Sequence, residues 1–88
     1  GAANAEGVTL ELAEQSRWNT GYCVNGIVRN AGGAPVQWEI TETIEGVINN
    51  AWNVELSANT GRVTFSGVGH NHTVRPGGEA HFGFCANL

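Results

Sequence analysis

Apolar and polar residues alternate along most of this chain in short runs, and turn-forming residues separate the runs. Val8-Thr9-Leu10-Glu11-Leu12 has a period of two, which predicts a strand with one buried face. The pattern resumes at Tyr22. Tyr22, Val24, Gly26 and Val28 fall on one side, and Cys23, Asn25, Ile27 and Arg29 on the other. Asn30-Ala31-Gly32-Gly33-Ala34-Pro35 is a turn cluster. A strand is then expected over 36–44, with Val36, Trp38 and Ile40 opposite Gln37, Glu39 and Thr41, so Trp38 is expected in the core. Trp52, Val54 and Leu56 alternate with Asn53 and Glu55, and Val63 with Phe65 marks the next strand. Ala80, Phe82 and Phe84 close the chain as an inward set opposite His81, Gly83 and Cys85. No window carries a 3.6-residue period bounded by caps. The pattern predicts one all-β domain over residues 1–88, an antiparallel β-sandwich of immunoglobulin-like or jelly-roll-like type. Residues 1–6 read as a tag remnant or linker rather than a signal peptide, lacking a basic region and an apolar stretch. No internal repeat is present.

Charge narrows the partners. Four arginines (Arg17, Arg29, Arg62, Arg75) stand against eight glutamates, with no lysine or aspartate, for a net charge of −4. No basic stripe exists to neutralise phosphates, so neither nucleic acid nor an anionic membrane surface is an expected partner. Charged residues are only 14% of the chain, and Asn, Thr, Ser and Gly are abundant. Such a surface suits hydrogen bonding to neutral polar matter. Cys23 and Cys85 are an even count in a small, Glu-rich, Lys-free chain, which suits a secreted protein with a disulfide. Two free cysteines packed as small apolar groups are the alternative.

Candidate chemistry is sparse. Ser16, Ser57 and Ser66 lie among turn and strand signals, no Gly-x-Ser-x-Gly elbow occurs, and the absence of aspartate rules out a Ser-His-Asp triad. Glu39, Glu55 and Glu79 occupy outward positions and read as solvated rather than as paired catalytic carboxylates. His70, His72 and His81 are the imidazoles, without the accompanying Cys or carboxylate spacing of a metal centre. Asn71-His72-Thr73 fits the Asn-x-Thr acceptor pattern, a triplet common by chance. No catalysis, metal or cofactor is expected.

Two tryptophans remain. Trp18-Asn19-Thr20-Gly21-Tyr22 and Ala51-Trp52-Asn53-Val54 place an indole beside turn-forming polar residues instead of inside an apolar run. An exposed indole face packs well on the C–H face of a pyranose ring, worth about 0.5–1.5 kcal/mol per ring beyond burial by analogy with aromatic pairs. Together with Asn30-x-Gly, Trp38, and Pro76-Gly77-Gly78-x-x-x-Phe82-Gly83-Phe84, these motifs occur in an order that resembles the family 2 carbohydrate-binding modules, bacterial β-sandwiches attached to cellulases, xylanases and chitinases. The resemblance spans residues 8–86 and implies non-catalytic binding of a β-linked polysaccharide in a secreted, monomeric module joined to a catalytic domain.

The resemblance also implies site residues. Trp18 and Trp52 match two of the three aligned tryptophans of the flat-surface branch, and the third position falls at His70. Asn25, Asn50 and His81 match the polar contacts beside the platform, the last commonly Gln in the family. The position of Gly21 is typically Arg in the xylan-binding branch, where it props the first tryptophan edgewise. A glycine there lets Trp18 lie flat and favours cellulose or chitin over xylan. Many members join their chain ends by a disulfide, whereas Cys23 lies within a strand, on the face expected to carry Asn25 and His81. A protein-interaction or adhesion domain on the same sandwich is the alternative function.

Overall fold

A computed structural model describes residues 2–3 and 7–88, with the side chain of His70 and those of residues 2–3 outside the description. The expected linker at 1–6 therefore lies outside the described residues, except that Ala2–Ala3 forms strand β1, antiparallel to Ile40 and Thr41. The other strands are β2 (Val8–Trp18), β3 (Gly21–Asn30), β4 (Val36–Gln37), β5 (Glu39–Trp52), β6 (Glu55–Leu56), β7 (Thr60–Ser66), β8 (Thr73–Val74) and β9 (Glu79–Asn87). Among the described residues a single 3-10 turn, Gly69–Asn71, interrupts them. The fold is the expected antiparallel β-sandwich.

Strand β5 serves both layers. Its first part, from Glu39 to Thr43, pairs with β7, which pairs with β6. Its second part, from Val47 to Trp52, pairs with β9, and the order continues through β3 to β2. The corner between them holds Gly46 at φ 76°, a left-handed conformation in which a side chain would also strike the Asn87 carbonyl. The alternating pattern therefore ran on past residue 44, where a break was expected, because glycine turns the strand without ending it. A second difference lies after Trp52. The run 52–56 is not one strand, since Asn53 adopts φ 58° and separates β5 from β6.

The core lies between the layers. Tyr22, Val24, Val28, Phe82, Phe84 and Ala86 point inward from β3 and β9, against Ile40, Val63 and Phe65 from β5 and β7. The Phe65 ring sits 5.5 Å from both Phe82 and Phe84, and Trp38, 2% exposed, stacks on Phe82 at 5.4 Å. Gly26 faces inward directly opposite Phe82, whose ring fills the space a side chain would need. At the open edge, Leu12 and the inner side of β2 extend beyond the second layer, so the apolar alternation of that strand is only partly buried. There Arg17 lies 4.9 Å over the Tyr22 ring and pairs with Glu14 and Glu45, while the Tyr22 hydroxyl donates to the Glu45 carbonyl at 2.6 Å. These exposed charges contribute little to stability.

Two buried asparagines tie down the loops. Asn30 donates through Nδ2 to the carbonyls of Ala34 and Val74 at 2.8 and 2.9 Å, and its Oδ1 accepts from Gly32 N–H at 2.9 Å. Asn71 does the same for the 3-10 turn. Its Oδ1 accepts from Val68 N–H at 2.8 Å, its Nδ2 donates to Asn53 O at 2.6 Å and to His81 O at 3.4 Å, and its carbonyl accepts the Trp38 indole N–H at 2.7 Å. Asn71→Ala should lower unfolding free energy by about 1–3 kcal/mol, because Val68 N–H and Asn53 O lose their partner. Phe65→Ala, which opens a cavity beside the Phe82 and Phe84 rings, should cost about 3–5 kcal/mol. Urea denaturation of both variants checks this, and a cost for Phe65→Ala below that for Asn71→Ala would contradict the packing described.

Candidate carbohydrate-binding face

The face turned away from the core on the first layer is set by strand alternation. With Tyr22, Val24, Phe82 and Phe84 inward, the residues between them must point out. Register then places them in rows across the strands. One row is Trp18, Gly21, Asn87 and Val47; the next is Ser16, Cys23, Cys85 and Asn50; the third is Ala13, Asn25, Gly83 and Trp52. Trp18, Trp52, Asn25 and Asn50 therefore share one face, with His81 in the following row beside Ile27. Trp18 is 47% and Trp52 39% exposed.

Each indole lies on a glycine of the neighbouring strand. An added Cβ at Gly21 would stand 2.8 Å from Trp18 Cζ2 and 2.7 Å from the Ala86 carbonyl. At Gly83 an added Cβ would overlap Cζ2 and Cε2 of Trp52. A bare backbone beneath the ring lets a large side chain lie down across the sheet instead of standing on its edge. The hairpin that carries Trp18 turns in only two residues, Asn19 and Thr20, so the indole and Gly21 are direct cross-strand partners.

Cys23 and Cys85 are bonded, with Cα atoms 4.0 Å apart, across directly opposed positions of β3 and β9. The half-buried disulfide lies on the outer face between the two tryptophan rows. Asn25 is half-buried beside Gly83, and Asn50 is exposed beside Cys85. His81 belongs to an ionic chain at the Trp52 end. Its Nε2 lies 3.0 Å from Glu79, Glu79 accepts from Arg29 Nε at 3.2 Å, and Arg29 also pairs with Glu11. The hydrogen bond with His81 first, and then the neighbouring positive charge of His81 and Arg29, hold the Glu79 carboxyl below its usual range against a smaller opposing effect of burial. The structure thus brings Trp18, Trp52, Asn25, Asn50, Gly21 and His81 together on one face.

His70 lies in the 3-10 turn, and its side chain is outside the described residues. Asn71 anchors that turn to the backbone of Asn53 and His81, at the Trp52 end of the face. His72 is exposed, and among the described residues no three histidines, cysteines or acidic groups gather as metal ligands. Ser57 Oγ accepts from Thr64 N–H on the second layer, away from His81 and from Ser16 on β2. The depressions lined by Gly7, Asn30 to Ala34 and Val36, and by Glu39, Glu55 and Ser66, also lie off this face.

Sequence reasoning missed Gly83, Asn87 and Asn71. Gly83 carried a signal, since a glycine at an outward strand position marks close approach of another group. Asn87, exposed beside Gly21 and bonded through Oδ1 to Asn49 Nδ2 at 2.7 Å, could be found only from register.

The chain is 37% identical over 90 residues to Endoglucanase E-5 of Thermobifida fusca, covering 99% of this chain and 19% of that protein. It is 44% identical over 78 residues to the major extracellular endoglucanase of Xanthomonas campestris, covering 89% of this chain and 16% of that protein. It therefore spans less than a fifth of either relative's length. Its fold matches the solution structure of the chitin-binding domain of Chi18aC from Streptomyces coelicolor, with a TM-score of 0.71, 27% identity, and coverage of 92% and 80% of the two chains. Chitinase ChiA74 from Bacillus thuringiensis shares the fold at a TM-score of 0.77 and 22% identity, over 90% of this chain and 13% of that one. The family model described as a cellulose-binding domain matches residues 8–88. The chain belongs to that family, the family 2 carbohydrate-binding modules.

Proposed function

We propose that this module binds insoluble β-1,4-linked polysaccharide without catalysis, cellulose or chitin in preference to xylan. The observation that carries the reading is that Trp18 and Trp52 stand exposed on one sheet face, each laid over a glycine. Two such rings offer flat, weakly hydrated surfaces to the C–H faces of sugars in one chain, while Asn25, Asn50 and His81 offer hydrogen bonds at their margins. Few charges lie among these residues, which suits an uncharged ligand. The His70 imidazole serves as a third, smaller stacking surface.

Relatives in which the module is a fifth or less of the chain are endoglucanases, one of them described as extracellular. The module accordingly works as a monomer in a secreted protein, and holds a covalently linked catalytic domain at the polysaccharide surface. Its contribution is effective concentration rather than chemistry.

Trp18→Ala and Trp52→Ala should each weaken pull-down on cellulose or chitin by roughly tenfold or more while leaving the fold intact. Retention at the wild-type level by either variant would sink the platform. Gly21→Arg places a side chain where the Trp18 indole now rests, so it should lift the ring, lower binding to cellulose and chitin, and raise binding to soluble xylan. Unchanged ligand preference in that variant would remove Gly21 from the account. If neutral His70 stacks, binding should fall below about pH 6.5, the ordinary imidazole range. That step should vanish in His70→Ala and persist in His81→Ala. A flat profile from about pH 5 to 8 argues against His70.

A further inference from the structure

The outer face contains a short internal repeat, contrary to the expectation that the chain has none. Gly21-Tyr22-Cys23-Val24-Asn25 on β3 and Gly83-Phe84-Cys85-Ala86-Asn87 on β9 share glycine, aromatic, cysteine, small apolar and asparagine in the same order. The strands are antiparallel, and their register pairs Gly21 with Asn87, Cys23 with Cys85, and Asn25 with Gly83. A local two-fold axis perpendicular to the sheet therefore passes through the disulfide.

The flanking strands obey the same axis. Trp18 is paired with Gly21 on β2, and Trp52 with Gly83 on β5. Counting back from each tryptophan, Ser16 faces Cys23 and Asn50 faces Cys85. Beyond these, β2 has a register shift between Glu14 and Ser16, and β5 has one between Ile48 and Asn50. Both tryptophans are followed by asparagine, Asn19 and Asn53. Four strands, two bulges, two rings and one disulfide thus follow one symmetry. It ends at the Trp52 side, where Ile27 and His81 form a further row with no counterpart.

We infer that this face is a duplicated glycan site, in which Asn87 serves the Trp18 half as Asn25 serves the Trp52 half, and that it accepts a β-1,4-glycan chain in either direction. The inference rests on the platform reading above. The two glycines stand about 14 Å apart by strand rise and strand spacing, the separation of a few sugar units. A chain laid across both indoles meets ring, asparagine, disulfide, asparagine and ring, and it meets the same order from the other end. The chain itself has a direction, but across this axis the two indoles, Asn25 with Asn87, and the two cysteines present the same groups to both polarities, while Asn50 stands opposite Ser16. On the axis, the disulfide supplies an uncharged floor that prefers neither.

The test uses the wild-type module and soluble hexasaccharides of β-1,4-glucose and of β-1,4-N-acetylglucosamine, each with a nitroxide at the reducing end. Indole N–H signals of Trp18 and Trp52 report in NMR. The nitroxide effect falls as the inverse sixth power of distance, so relaxation enhancements of similar size at both indoles, with either sugar, support binding in two polarities. Broadening of one indole, with both shifting on unlabelled ligand, overturns the inference and leaves the platform standing. No shift of either indole with either sugar overturns both. Asn25→Ala and Asn87→Ala should each weaken binding about three- to tenfold and within about twofold of each other. Full binding by Asn87→Ala beside a weakened Asn25→Ala would overturn the equivalence.

Discussion

The pairing of β3 with β9 is the constraint on which the rest of the molecule depends. One face of that pair supplies Tyr22, Val24, Phe82 and Phe84 to the core, and the other supplies Gly21, Cys23, Asn25, Gly83, Cys85 and Asn87 to the surface. A strand reverses its facing residues when its register slips by one, so core and platform are specified together. The disulfide fixes that register covalently, at the third of the nine paired positions counted from Gly21. Closing a loop of this length stabilises by roughly 4 kcal/mol in the chain-entropy model, a large share for a domain of this size.

Glycine does opposite work on the two faces of this pair. Inside, Gly26 makes room for Phe82 and lets the aromatic cluster reach across the layers. Outside, Gly21 and Gly83 remove the obstacles beneath two indoles. The rings rest on backbone whose position is fixed by strand pairing. A prearranged surface loses little conformational entropy on binding, the general route by which small contacts yield useful affinity.

Much of the fold was legible because alternation is a direct readout of which face is buried. The inward set of Ala80, Phe82 and Phe84, the core position of Trp38, and the shared face of Cys23, Cys85, Asn25 and His81 all follow from period two. The length of β5 was not legible, because a glycine inside a strand can end it or bend it, and Gly46 bends it. Asn53 likewise broke a run whose apolar pattern pointed to one strand, since its left-handed backbone leaves the hydropathy unchanged. For the site, each tryptophan could be recognised from its polar neighbours. Asn87 and Gly83 could not be linked to them, because the pairing of Gly21 with Asn87, 66 positions apart in sequence, and of Trp52 with Gly83, 31 positions apart, is a property of register and not of local pattern.

The Asn-x-Thr triplet at Asn71 gains a meaning from the bonds its amide makes. The Nδ2 that a eukaryotic secretory pathway would glycosylate is the atom that donates to the Asn53 carbonyl, in a buried side chain. Transfer of an oligosaccharide to the unfolded chain would leave the 3-10 turn unable to seat against β9 and the Trp52 end of the face. Production in a yeast or mammalian secretory host would thus yield modified chains less stable than the unmodified ones, while a bacterial cytoplasm with an oxidising disulfide pathway avoids the modification.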